Sequence, residues 1–298
     1  MSALVVYRRR ASPLHAARAS ISALYCVALS AAALIAAHPL VLAGLLAGVL
    51  LAGAACGVGR QMLRTLRTVG LPILLLTVLV NVLVSRDGLT VFARLGYFGP
   101  LGQVNLTLEA LAYGLLVGVR LVIVLLAGVL ASASVDPDEM LRSLRRVYPG
   151  SALAATVATR LVPVLARDAQ RMAEAQRCRA DAETGAAGKR ERLGIVRAVV
   201  AGSLDRSLDV AATLEVRGYG SGARPPRLAR PLSRHDIHFA LAALATLALA
   251  LGTRAGDFAS FQVYPLLRLP LGAAAVLAAL ALPALALAPF LDRQGIAP

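Results

Sequence analysis

The sequence of 298 residues contains no Trp, and its Tyr and Phe make up only 4% of the chain. Any belt of aromatic anchors at a membrane surface must therefore be thin. Cysteine is limited to Cys26, Cys56 and Cys178, too few and too scattered for a disulfide scaffold. Acidic residues are scarce, 16 Asp+Glu against 31 Lys+Arg, and charged residues together reach only 16%. A soluble domain carries about a quarter. The chain also lacks the Gly-x-x-x-x-Gly-Lys-[Ser/Thr] phosphate loop. The nearest approach, Gly185-Ala-Ala-Gly188-Lys189-Arg190, is too short and has no hydroxyl. What is present is apolar: 58% hydrophobic residues and a mean hydropathy of +0.72, which excludes disorder. A very apolar chain with a net charge of +15 fits a membrane protein whose cations collect on one side.

Six charge-poor runs follow one another: 21–37, 40–58, 69–84, 106–133, 237–252 and 269–290. About 20 apolar residues cross a bilayer core of roughly 30 Å, so the first, third and fifth runs are short. His38-Pro39 separates the first two, and Pro39 turns them into a helical hairpin. The third run carries Asn81, expected to hydrogen-bond between helices. The fourth contains Glu109 near its start and Arg120 in its interior. Charges placed there cost about 2.5–3.5 kcal/mol on insertion scales, which leaves two readings: structural anchoring or a partner interface. Gly44 and Gly48 form a small-xxx-small pair.

With six crossings and a cytoplasmic N-terminus, 26 of the 31 cations fall inside. Arg8, Arg9, Arg10 and Arg18 precede the first run, and Arg60, Arg64 and Arg67 lie between the second and third. These short segments alone favour that orientation. The expected location is the cell membrane, multi-pass. The expected class is an all-α polytopic membrane protein of about six transmembrane helices with a cytoplasmic insert. Its segments are 1–134 (about four spans), 135–235 (the insert) and 236–298 (about two spans). A cleaved signal peptide is disfavoured, because a second apolar run follows the first at once. No zinc or aromatic RNA-binding motif accompanies the positive charge, so no nucleic-acid partner is expected.

The insert, residues 135–235, holds 18 Lys+Arg and 11 Asp+Glu. Asp136 can cap a short helix whose first turn holds Pro137, Asp138 and Glu139, and Pro149-Gly150 closes it. Two long amphipathic stretches follow, 151–180 and 191–216, each of some 40 Å. The first ends Ala175-Gln-Arg-Cys-Arg179-Ala180, and the second Leu214-Glu-Val-Arg217-Gly218-Tyr219. Gly218 is a left-handed C-cap candidate. An Arg set among small neighbours at a helix C-terminus is favoured by the dipole and can project its fork into a partner's groove. It can equally be a solvated helix end.

At these two sites the chain resembles the transmembrane T component of energy-coupling factor (ECF) transporters, the EcfT or CbiQ-like cobalt-transport permease family. Ala175-Gln-Arg-Cys-Arg179 looks like the family's first Ala-Arg-Gly-type motif, and Glu215-Val-Arg217-Gly218-Tyr219 like its second. Ala180 stands where the family usually has Gly, and Cys178 replaces a smaller residue. Asn81-Val-Leu, Asp87-Gly88-Leu-Thr90, Leu106-Thr107-Leu-Glu109 and Tyr113-Gly114 through Arg120 are similar to its central membrane segments. His38-Pro39-Leu resembles its first hairpin turn, and Asp136-Pro137 the start of its coupling helices. The likeness runs in order over about residues 38–235.

The resemblance implies a non-catalytic scaffold with no solute pocket of its own. Gln176, Cys178, Arg179, Ala180, Glu215, Val216, Arg217 and Gly218 would form the docking ends for two cytoplasmic ABC ATPase subunits. A membrane-embedded S component would bind the cargo, a vitamin or a transition-metal ion. No cofactor would bind this chain, since ATP-Mg sits on the partner subunits. Two other classes compete: a conventional ABC permease with its own solute path, and an intramembrane lipid or prenyl transferase. The second would need paired Asp or a metal and phosphate cluster, and Asp136-Pro-Asp138-Glu139 reads better as helix N-terminal charge. His235 and His238 are three apart, but a third ligand is lacking, and no metal site is expected.

Overall fold

The computed structural model describes residues 10–84, 91–97, 103–144, 149–180, 189–219, 231–255 and 272–292. The Asp87–Thr90 motif, Gly185–Gly188 and the Arg224–Arg230 segment lie outside the described residues. The chain divides into two compact units, Met1–Met140 with Leu232–Pro298, and Leu141–Pro231.

The first unit is built from apolar helices: α1 (Pro13–Ala16), α2 (Ala19–Ile35), α3 (Pro39–Ala55), α4 (Gly59–Thr65), α5 (Leu71–Val84), α6 (Leu108–Ser134), α10 (Arg234–Ala255) and α11 (Ala273–Leu287). The fold is that of an all-α polytopic membrane protein. Among the described residues, four helical stretches are long and apolar enough to cross a bilayer: Gly59–Val84, Leu108–Ser134, Arg234–Ala255 and Ala273–Phe290. Helices α2 and α3 have 17 residues each, about 25 Å.

Two differences from the sequence-based expectation have plain causes. Arg60, Arg64 and Arg67 do not lie in a loop. They occupy the start of a helix that runs from Gly59 to Val84 with a π turn at Leu66–Gly70. Pro72 follows that turn. A proline inside a helix removes one hydrogen bond and clashes with the carbonyl four residues back, so the local widening lets the helix pass it unbroken. The segment before α6 also contains a hairpin that periodicity did not indicate. Its strands β1 (Val91–Tyr97) and β2 (Gln103–Thr107) pair antiparallel, with Arg94 opposite Asn105. Helix α6 begins only at Leu108, where the Thr107 hydroxyl accepts from the Ala110 N–H at 3.3 Å.

The hairpin between α2 and α3 forms as its residues dictate. Pro39 takes the first helical position, where its missing N–H costs nothing, and the buried His38 accepts the Leu40 N–H through Nδ1 at 3.3 Å. Between helices, small residues set the spacing. A Cβ on Gly44 would overlap the Ala279 carbonyl, and one on Gly48 would lie 3.2 Å from Pro283 Cα. Helix α3 therefore approaches α11 backbone to backbone. Gly114 and Gly118 do the same for α6 against Val78 and Leu74 of α5. Such contacts matter among membrane helices, where burying apolar surface against a neighbour gains little over burying it in lipid. The one aromatic cluster among the described residues joins α2, α10 and the 3-10 turn Ala288–Phe290 that follows α11. Tyr25, Phe239 and Phe290 meet edge to face with centroids 5.2–6.4 Å apart, and the Tyr25 hydroxyl donates to the Ala286 carbonyl at 2.8 Å.

The other end of α2 is tied by a carboxylate. Asp236, buried in the first turn of α10, accepts the Arg18 backbone N–H at 2.8 Å and the Ser233 N–H at 2.9 Å. It also pairs with Arg18 Nε at 3.3 Å. Alongside, His15 meets the Ala133 carbonyl at 3.2 Å, and Arg10 donates to the Gly57 carbonyl. Truncating Asp236 would strand a guanidinium and two amide donors at the joined starts of α2 and α10. Asp236→Ala is expected to destabilise the protein by about 3 kcal/mol, read as a lowered midpoint of thermal unfolding in detergent. An unchanged midpoint would show that the cluster bears no load.

Candidate functional site

The second unit consists of the end of α7 (Pro137–Leu144) and the long helices α8 (Pro149–Ala180) and α9 (Lys189–Val216). Asp136 caps α7, its Oδ1 accepting the Asp138 N–H at 2.9 Å. Pro149, expected only to close α7, opens α8 as its first residue, the helical position that tolerates proline best.

Helix α8 turns Leu161, Val164, Leu165 and Met172 to a half-buried stripe. Helix α9 has Ile195, Val199, Ser203, Arg206, Val210 and Leu214 half buried, spaced three and four apart. The expectation of a simple amphipathic α9 needs correction. Leu193, Val196, Val200, Leu204 and Leu208 form a second apolar stripe, each about half exposed or more. At 3.6 residues per turn it lies about 110° round the helix from the first. Apolar side chains thus cover two faces, and the polar face is narrow.

The end of α9 is closed by its own backbone. Gly218 adopts φ +70°. The Tyr219 N–H donates to the Leu214 carbonyl at 2.9 Å, and the Gly218 N–H to the Glu215 carbonyl at 2.8 Å. This pair of bonds is the Schellman closure, which satisfies two carbonyls that a helix end leaves open. It satisfies the Leu214 and Glu215 carbonyls without the Arg217 side chain, and Glu215, Val216, Arg217, Gly218 and Tyr219 are all exposed. At the end of α8, Cys178 is exposed as a free thiol. Gln176, Arg179 and Ala180 belong to the last turn, and their side chains are outside the described set.

The polar residues of the apolar unit take separate places. Arg120 donates from Nη2 to the Ala36 carbonyl at 2.8 Å, where the C-terminus of α2 favours a cation. Glu109 is fully buried in the first turn of α6, at the dipole end that favours a carboxylate. Among the described residues, Asn81 makes its hydrogen bond within its own helix and not across helices as expected. It donates to the Thr77 carbonyl of its own helix at 2.9 Å, because the Gly114 backbone lies against its Cβ and offers no side-chain acceptor. His238 approaches Asp292 at 3.5 Å. Among the described residues no group of three His, Cys, Asp or Glu side chains converges.

One pair escaped the sequence reading. Asp168 of α8 meets Arg206 of α9 at 3.3 Å, with Arg171 at 3.9 Å on its other side. Both Asp168 and Arg206 sit within the half-buried stripes rather than beside them. Two opposite charges interrupting otherwise apolar stripes were the available signal.

A family model described as cobalt transport protein (CbiQ) matches residues 10–227. The chain belongs to the CbiQ family. As a CbiQ protein it is a membrane transport component, and the matched region takes in the apolar helices through α6 together with α8, α9 and both Arg-bearing ends. A search of curated proteins found no match.

The closure of α9 depends on a backbone conformation that side chains with a Cβ adopt at a cost of about 1–2 kcal/mol. Gly218→Val is therefore expected to speed hydrogen exchange at the amides of residues 218 and 219 by about tenfold, while residues 199–210 keep their protection. Equal exchange in the variant would show that the turn is not what holds this end.

Proposed function

We propose that this CbiQ-family chain is the transmembrane coupling subunit of an ECF-type ABC importer. Two cytoplasmic ABC ATPase subunits dock on the ends of α8 and α9, and their ATP-driven closure moves these helices. The motion reaches a membrane-embedded S component, which carries a vitamin or a transition-metal ion such as cobalt. The chain itself is not an enzyme and binds no cofactor; ATP-Mg belongs to the ATPases. The protein lies in the cell membrane with its N-terminus cytoplasmic.

The observation that carries this reading is the pair of Arg-bearing C-termini. Arg217 stands exposed beside a closed helix end, and Arg179 holds the equivalent place in the last turn of α8. A guanidinium is always charged and presents a planar fork of donors, which suits carboxylate and carbonyl groups in a partner's groove. A helix is stiff along its axis, so a push at its tip is felt along its length. The family membership supports a transport role for the chain, and the matched region includes both ends.

Hydrogen bonds to charged groups contribute about 1.5–3 kcal/mol each, roughly tenfold to a hundredfold in affinity. Purification of the tagged wild-type chain from its host is expected to bring two nucleotide-binding chains with it. Arg179→Ala combined with Arg217→Ala should release them while the variant stays folded in the membrane. ATPases that remain bound to the double variant would overturn the docking assignment. The orientation has its own reporter in Cys178, exposed where Cys26 and Cys56 are buried. A membrane-impermeant maleimide should label Cys178 in inside-out vesicles and not in intact cells; labelling in intact cells would reverse the topology.

A further inference from the structure

Asp168 and Arg206 occupy matching places on the two long helices. Asp168 precedes Arg179 by eleven residues, and Arg206 precedes Arg217 by eleven. Eleven residues are about three turns and 16.5 Å, and they bring a side chain back to within about 20° of the same face. The ion pair at 3.3 Å thus lies the same number of residues before the Arg-bearing position of each helix. It lies inside the half-buried stripe of each helix, which holds Leu161, Leu165 and Met172 on α8 and Val199, Val210 and Leu214 on α9. Apolar stripes alone allow two helices to slide by a turn and pack again. An ion pair spanning the two helices resists such a slip, because one turn, about 5.4 Å, parts the ions.

We propose that Asp168 and Arg206 form a positioning pin that fixes the register of α8 against α9 and so sets the separation of their Arg-bearing ends, the two points at which partner ATPases would dock. The inference rests on the docking reading above, but the pin is a property of this chain and is measurable without partners. Arg171, at 3.9 Å on the far side of Asp168, holds the carboxylate without bridging the helices. The pair is partly exposed, at 25% for Asp168 and 41% for Arg206. Pairs of that kind add little to folding, so their removal should disturb register and leave the helices formed.

Native Cys178 and Val216→Cys, at a position 89% exposed, provide spin-label sites next to each tip in the full-length chain in nanodiscs. Electron double resonance is expected to give one narrow distance distribution for the otherwise wild-type protein. Asp168→Asn and Arg206→Gln should each widen it about twofold with unchanged helix content by circular dichroism. The exchanged pair, Asp168→Arg with Arg206→Asp, should narrow it again. Salt at 1 M, with a Debye length near 3 Å, should widen the parent distribution as well. Distributions as narrow in both single variants as in the parent would overturn the pin, as would failure of the exchanged pair to restore the width. Co-purification of ATPases with unlabelled chains reports separately on the docking reading. If the wild type retains none, that reading falls, and the distance measurement still decides the pin.

Discussion

A helix end leaves four donors or four acceptors without partners, and in an apolar surrounding water is not there to take them. Much of this structure follows from how each end is closed. At the C-terminus of α2 a side chain closes it: Arg120 reaches the Ala36 carbonyl, and Arg254 approaches the Ile35 carbonyl at 3.5 Å. Two residues on, His38 serves the start of α3. At the opposite end of α2, Asp236 takes up the Arg18 amide and guanidinium together. Charged and polar residues in the apolar unit are therefore concentrated where backbone groups would otherwise be stranded. The same demand is met differently at α9. There the backbone satisfies itself through Gly218, and the neighbouring Arg217 is released from capping. The same residue type thus serves in one unit as a structural cap and in the other as a free group.

Small side chains do for the helix flanks what caps do for the ends. The alanine-rich runs look like filler in the sequence, but Gly44, Gly48, Gly114 and Gly118 mark lines where two backbones come into contact. Bulky residues turn outward instead: Leu75, Leu76 and Leu79 of α5 and Leu277 and Leu280 of α11 are half exposed or more. That inversion of the soluble pattern is expected when the surroundings are lipid and the gain comes from close packing.

Apolar runs, the hairpin at His38-Pro39, the two long helices and their Arg-bearing ends were legible from composition and spacing, because each depends on local residues. Gly218 was readable for the same reason: a glycine after a helical pattern, followed by an apolar residue, is a local motif with a local cause. What was not legible depended on contacts between distant segments. Asn81 was expected to bridge helices, yet the partner opposite it is a glycine backbone, which a single strand of sequence does not reveal. The acceptor that Arg120 meets, the Ala36 carbonyl, lies 84 residues away in the chain and could not be read from its own helix. The continuous helix from Gly59 to Val84 was missed because three arginines suggested a loop, whereas Pro72 only widens the helix locally. Asp168 and Arg206 were hidden by 38 residues of separation and by the habit of reading charges on an amphipathic helix as solvated.

These closures also bear on how force could pass through the chain. A lever must be stiff along its axis and free at its tip, and those requirements conflict if the tip is held by its own capping contacts. In α9 the conflict is removed, since Leu214 and Glu215 carbonyls are satisfied by the turn itself and the side chains beyond them are exposed. Stiffness along a helix is not enough when two levers must work together, because their relative register has to survive the load. Apolar stripes resist separation but resist sliding poorly, while an ion pair within them resists sliding at little gain in stability. Asp168 and Arg206, three turns back from each tip, are placed where that resistance acts equally on both. The apolar unit needs no such device: its helices are keyed by glycines against backbone and fixed at their ends by buried hydrogen bonds. On the proposed function each unit has its own demand: the membrane unit is keyed closely by backbone contact, and the two arms are held in register by charge.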